Sequence, residues 1–176
     1  MGFIGKSLIQ KMSELNFDII TVDIIDGDVT DQSTWEKLPD ADVVIHLAGK
    51  TFVPDSWSSP SSFIDTNLMG TVCALEYCKK RKSKLIILSS YLYGNPDILP
   101  IPESSKIVTP NPYAFSKKLA EDACRFYSEM FGIQVTILRP FNVYGPGQDD
   151  KFLIQSIIHQ VLNSSFINVK DLEPKR

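Results

Sequence analysis

Short runs rich in apolar and β-branched residues alternate along this chain with longer stretches of helical periodicity. That alternation limits the fold more than any other feature. Parallel strands need a long crossover between them, usually a helix, so strand–helix alternation predicts βαβ units and a parallel sheet. The strand candidates are Phe17–Asp23 (FDIITVD), Ala41–Gly49 (ADVVIHLAG), Ser83–Ser90 (SKLIILSS) and Gln134–Pro140 (QVTILRP), with a short last candidate at Phe166–Val169 (FINV). ADVVIHLAG and SKLIILSS are near-continuous apolar runs, as strands buried on both faces are. Helical spacing runs over Ile4–Leu15, Gln32–Leu38, Phe63–Lys80, Tyr113–Phe131 and Lys151–Leu162. Asp26–Asp31 (DGDVTD) reads as a turn or strand end. Lys50–Ser62, rich in Ser and Pro, reads as a loop, and so does the Pro-rich stretch before Tyr113.

At 176 residues the chain can build one domain with a substantial core. A net charge of −3 does not favour sequence-independent nucleic-acid binding, which needs a basic face. No apolar run approaches the ~20 residues that span a bilayer, and the opening residues lack the pattern of a secretory leader. Cys73, Cys78 and Cys124 form no CxxC pair and read as reduced thiols, so a cytoplasmic location is expected. His46 and His159 stand apart from any cysteine or carboxylate cluster, so no metal site is expected.

Three groups of residues carry chemistry. Gly2-Phe3-Ile4-Gly5 runs into a helix whose first amides would face a phosphate, and Asp23 ends a strand candidate at the distance of a ribose-binding carboxylate. A carboxylate there repels a 2′-phosphate and so favours NAD over NADP. Tyr113 and Lys117 lie four apart on one helix face, where an ammonium favours the phenolate and prepares Tyr113 for proton transfer. Ser89 and Ser90 end a strand, where ligands of open parallel sheets bind, and Ala48 and Gly49 end the strand before it. Taken singly, each is also what a helix start, a strand-end turn or a solvated helix face provides.

Together and in order, these motifs resemble the NAD-dependent epimerase/dehydratase family of the extended short-chain dehydrogenase/reductase superfamily. The matching residues are GFIG (Gly2–Gly5), Asp23, GDVTD (Gly27–Asp31), HLAG (His46–Gly49), NLMGT (Asn67–Thr71), SSYLYG (Ser89–Gly94), YAFSK (Tyr113–Lys117) and RPFNVYGPGQ (Arg139–Gln148). The resemblance implies a Rossmann-like, doubly wound parallel sheet that binds NAD and a nucleotide sugar. It implies Tyr113 as acid/base with Lys117 as its partner. It implies Ser89 as the serine of the triad, counted back from the Tyr93-Gly94 pair, with Ser90 as the fallback. Gly2, Phe3, Ile4, Gly5, Asp23, Asp28, Val29, Leu47, Ala48, Gly49, Asn67 and Pro140 would line the cofactor alongside Tyr113 and Lys117. Ser90, Tyr91 and Asn142 would join Ser89 at the substrate. The helices 63–80 and 113–131 resemble a pair that builds a homodimer interface.

Against the family's fold, the chain begins after the first strand and stops as the substrate domain begins. That gives a core over 1–148 and the start of a substrate-binding part over 149–176. Ser90 and Tyr91 stand where the 4,6-dehydratase branch carries an acidic pair, which disfavours dehydration. The leading expectation is an epimerase. The alternatives are a reductase or dehydrogenase, and a non-catalytic Rossmann-like module, since a chain lacking the first strand is expected to bind NAD weakly.

Overall fold

The computed structural model describes residues 1–96 and 98–169. Two compact units emerge, Met1–Phe141 and a second from Asn142 onward. The first holds β1 (Val43–His46), β2 (Lys84–Leu88) and β3 (Val135–Leu138), paired in parallel in the order β1-β2-β3. Val44 lies opposite Leu85, and Ile86 opposite Thr136. This is the sequential half of the 3-2-1-4-5-6 order of a dinucleotide-binding sheet.

The helices of this unit are α1 (Phe3–Glu14), α2 (Gln32–Glu36), α3 (Val53–Ser58), α4 (Pro60–Ile64), α5 (Gly70–Arg81) and α6 (Pro112–Phe131). Between α4 and α5 a π-helical turn, Asp65–Met69, carries the chain on without a break. The helix expected over 63–80 therefore runs from Pro60 to Arg81 with one wide turn inside it. α6 has the punctuation its sequence announces. Asn111 caps it by accepting the Ala114 N–H at 2.8 Å, Pro112 takes the first turn, and Gly132 closes it at φ +71°.

The core lies between the sheet and the α5–α6 pair. Ala74, Leu75, Tyr77 and Cys78 of α5 pack with Leu85 and Ile87 of β2, Cys124 of α6, Trp35 and Ile133. All three cysteines are free and buried there. Burial pushes the thiols of Cys78 and Cys124 up to about 12, so they remain protonated and act as small apolar fillers.

Three local expectations are corrected. Phe17–Asp23 forms no strand, because a strand exists only through ladder bonds and this segment has no ladder partner among the described residues. Phe166–Val169 forms none for the same reason. The stretch expected as a loop over 50–62 instead contains α3, which has Pro54 in its first turn. In the second unit α7 spans Leu153–Asn163, close to the helix expected there. Among the described residues, no helix is long and apolar enough to cross a membrane.

Candidate active site

The carboxyl ends of the three strands define one edge of the sheet, and several of the residues nominated by sequence follow them directly. Ala48 and Gly49 follow β1, Ser89 and Ser90 follow β2, and Pro140 follows β3. α6 brings Tyr113, Lys117 and Glu121 to this edge as a stripe spaced four apart. The stripe meets the end of β2 residue by residue. Lys117 Nζ donates to the Leu88 carbonyl at 2.9 Å, Ser89 Oγ donates to Glu121 Oε1 at 2.6 Å, and the Ser90 hydroxyl lies close enough to the Tyr113 phenol to favour its charged form.

The serine expected at the phenol, Ser89, is therefore turned away from it, and Ser90 stands in its place. The reason is the two-residue period of a strand. Leu85, Ile87 and Ser89 share the buried face, and a shift of one residue moves a side chain to the opposite face. Ser89 also donates its own N–H to the Leu138 carbonyl at 2.8 Å, so the ladder, and with it the alternation, continues through this residue. Counting back from Tyr93-Gly94 crosses a loop whose length is free to vary. Counting forward from β2 does not.

Tyr113 is half-buried, with its ring edge-on to buried Phe63 at 6.4 Å between centroids. Burial raises its pKa, and the neighbouring Ser90 hydroxyl offsets only part of that rise. The expected lowering by Lys117 is not among the influences on Tyr113 in this arrangement, where the ammonium is bonded to the Leu88 carbonyl. Burial in turn pushes Lys117 down to about 8.

Asn67 lies inside the π turn and is buried. Its Oδ1 accepts the Lys50 N–H at 2.8 Å, while Nδ2 donates to the Lys50 carbonyl at 3.0 Å and to Ser116 Oγ at 2.9 Å. One amide thus clamps the backbone after Gly49 and ties it to the helix of Tyr113 and Lys117. Gly49 leaves the room for this. A Cβ there would stand 2.8 Å from Asn67 Oδ1 and 3.2 Å from Lys117 Nζ. Gly49→Ala is expected to cost about 1–3 kcal/mol, lowering the melting midpoint by roughly 2–12 °C, as circular dichroism on heating would read.

At the other end of the site, α1 starts from Gly2 in extended backbone with no side chain capping its first turn, so its amides face outward unclaimed by side chains. Phe3 and Ile4 are half-buried in that turn, and Gly5 faces Leu47. Asp23 lies beside this turn, where its carboxylate pairs with the Met1 amino group. That pairing and the Ile24 N–H hold its pKa below the usual carboxylate range. Asp28 accepts from the Thr30 N–H and hydroxyl at 2.9 and 2.8 Å. The Val29 carbonyl accepts from Trp35 Nε1. Tyr91 donates its hydroxyl to the Gly94 carbonyl and stacks on Phe141. Asn142 opens the second unit. Open amides at a helix start, a neighbouring carboxylate and a Cβ-free Gly49 suit a dinucleotide. Among the described residues, no three His, Cys, Asp or Glu side chains gather as metal ligands would.

Two residues at this edge were not nominated by sequence. Glu121 is fully buried yet charged. Arg139 donates to both of its oxygens, at 2.8 and 2.7 Å, Arg125 donates at 2.8 Å, and Arg139 also donates to the Tyr93 hydroxyl at 2.8 Å. The only trace of Glu121 in the sequence is its place one turn beyond Lys117 in the same stripe. Its arginine lies on another strand.

The family model described as the NAD dependent epimerase/dehydratase family matches residues 1–176. A putative UDP-glucose 4-epimerase of Methanocaldococcus jannaschii is 34% identical over a gapped alignment of 170 positions that covers 85% of this chain and 56% of that protein. The GDP-6-deoxy-D-mannose reductase of Pseudomonas aeruginosa is 34% identical over a gapped alignment of 197 positions that covers 99% of this chain and 62% of that protein. A solved UDP-glucose 4-epimerase from Thermotoga maritima with UDP-glucose superposes with a TM-score of 0.80 at 29% identity, covering 84% of this chain and 55% of that one. The chain thus spans a little over half the length of these relatives.

Proposed function

The chain belongs to the NAD dependent epimerase/dehydratase family, and from that premise we propose that it is the cofactor-binding, proton-transferring part of a nucleotide-sugar epimerase that uses NAD. The observation that carries this reading is the meeting of Tyr113, Lys117 and Ser90 at the carboxyl edge of the sheet. Gly2, Phe3, Ile4 and Gly5 would hold the pyrophosphate, Asp23 the adenosine ribose, Asp28 and Val29 the adenine flank, and Leu47, Ala48, Gly49, Asn67 and Pro140 the remainder. When bound, the nicotinamide supplies a reversible acceptor for hydride from a sugar carbon.

The chain's own residues manage the proton. Tyr113 Oη takes it from the sugar hydroxyl and returns it. Ser90, rather than Ser89, bonds the reacting oxygen and the phenol. Lys117, one helical turn from Tyr113 on the same face, would hold the nicotinamide ribose. Tyr91 and Asn142 would border the sugar nucleotide. Neither Tyr91 nor Leu92, the two residues after Ser90, carries a carboxyl group to remove water from a sugar ring. Dehydration therefore remains disfavoured. Met69, Phe115, Phe126 and Met130 stay exposed along the π turn and α6, which supports a homodimer through the helices 63–80 and 113–131.

The second reading, a reductase that releases its product, is favoured by the match to the mannose reductase over 99% of this chain. Incubation with NAD and UDP-glucose separates the two. Formation of UDP-galactose without accumulation of NADH is expected. Steady oxidation of NADH by a 4-keto sugar nucleotide, without epimerisation, would establish the reductase. Inertness toward both, with intact fold and bound NAD, would refute catalysis and leave a binding module.

A further inference from the structure

We infer that Ser89 and Glu121 form a positioning device, in which a buried carboxylate grips the end of β2 so that Ser90 and the Leu88 carbonyl meet Tyr113 and Lys117. Three consecutive residues of one strand end each meet one of three residues spaced four apart on α6, Leu88 and Ser89 through hydrogen bonds to Lys117 and Glu121 and Ser90 by its approach to Tyr113. Only the central bond lies wholly in the interior, since Ser89 is 4% and Glu121 0% exposed. Its acceptor is held from two further directions, by Arg139 at the end of β3 and by Arg125 one turn along α6. The side chain that anchors Ser89 is therefore fixed to both the helix and the neighbouring strand.

Stability alone does not account for this arrangement. A buried ion pair is commonly replaced by apolar residues of similar volume without loss of stability. What apolar residues cannot supply is direction. A strand end slipping or twisting by one residue exchanges the faces of Ser89 and Ser90. The Ser89–Glu121 bond is made only in the register that delivers Ser90 to the phenol. The second guanidinium contact of Arg139, to the Tyr93 hydroxyl, extends the same grip to the loop that follows Ser90.

The consequence for turnover rests on the reading of Tyr113 as the acid/base. The test does not, because it is read on the free chain at neutral pH. With tyrosine labelled at 13Cζ, the Tyr113 resonance, identified by its loss in Tyr113→Phe, reports the hydrogen bond at the phenol oxygen. Ser90→Ala is expected to shift it and sets the scale. Ser89→Ala, which leaves both arginine pairs of Glu121 intact, is expected to shift it in the same direction by at least half as much, and Ser89→Thr to restore it. Glu121→Asp, which keeps the charge but draws the carboxylate back from Ser89 by one methylene, is the second variant and is expected to act like Ser89→Ala. A merely structural role would lower the melting midpoint without moving the resonance. A wild-type resonance in Ser89→Ala and Glu121→Asp overturns the inference, and so does a Ser90→Ala that shifts nothing. Absence of turnover in the wild-type protein bears only on the functional reading.

Discussion

Tyr113→Phe is expected to lower kcat by about 10²–10⁴-fold, the range that a positioned acid/base contributes, while leaving the affinity for cofactor close to that of the wild type. The substitution removes one oxygen. The ring keeps its edge-on seat against Phe63, and Lys117 keeps its bond to the Leu88 carbonyl. What is lost is the atom that takes the proton, together with its contact with the Ser90 hydroxyl. An intramolecular hydrogen bond contributes ~1 kcal/mol net, so the melting midpoint should move by only a few degrees. Steady-state kinetics on the nucleotide sugar, with calorimetric titration of NAD, would check this. An unchanged kcat would remove Tyr113 from the reaction, and a matching loss of NAD affinity would make it a binding residue.

The helix carrying Tyr113 is legible in the sequence because its signals are local. Asn111, Pro112 and Gly132 fix both ends of α6 through backbone groups within a few residues of themselves, and the four-residue spacing places Tyr113 and Lys117 together in any helix. β1, β2 and β3 were legible for a related reason, since a short apolar run without polar interruption has few other places to go. Phe17–Asp23 shares their β-branched content, though Asp18 and Thr21 interrupt it, and stays outside the sheet. Its ladder bonds would be long-range, and composition does not reveal whether a partner is at hand. Which of Ser89 and Ser90 faces the phenol is a matter of parity, which the strand sets and the downstream loop does not record. Glu121 was illegible as a site residue because an acidic side chain on a helix is ordinarily solvated. It becomes a buried anion only when β3 delivers Arg139 to it.

That burial makes Glu121 the position with the largest expected effect on stability. Glu121→Ala strands Arg139, whose side chain is 14% exposed, without its anion. Breaking a buried pair from one side costs about 3–5 kcal/mol. For a chain of this size the melting midpoint should fall by roughly 6–20 °C. Burial alone would raise the carboxyl pKa, but the bonds from Arg139 and Ser89 and the charges of Arg139 and Arg125 outweigh it, and the net shift is downward. A carboxylate whose pKa is lower folded than unfolded contributes stability that is fully present above its unfolded pKa. That contribution is lost as pH falls through the folded value. The wild type should therefore lose stability on acidification below about pH 4.3, the ordinary glutamate value, and Glu121→Ala should show a shallower acid limb. Chemical denaturation across that range reads both effects. The double variant Glu121→Leu with Arg139→Met separates the causes. It removes the ion pair and the stranded charge together, and half-exposed Arg125 can turn to solvent. Much of the stability should then return. The Tyr113 resonance should stay displaced, because an apolar pair can fill the space of the salt bridge but offers Ser89 nothing to hold.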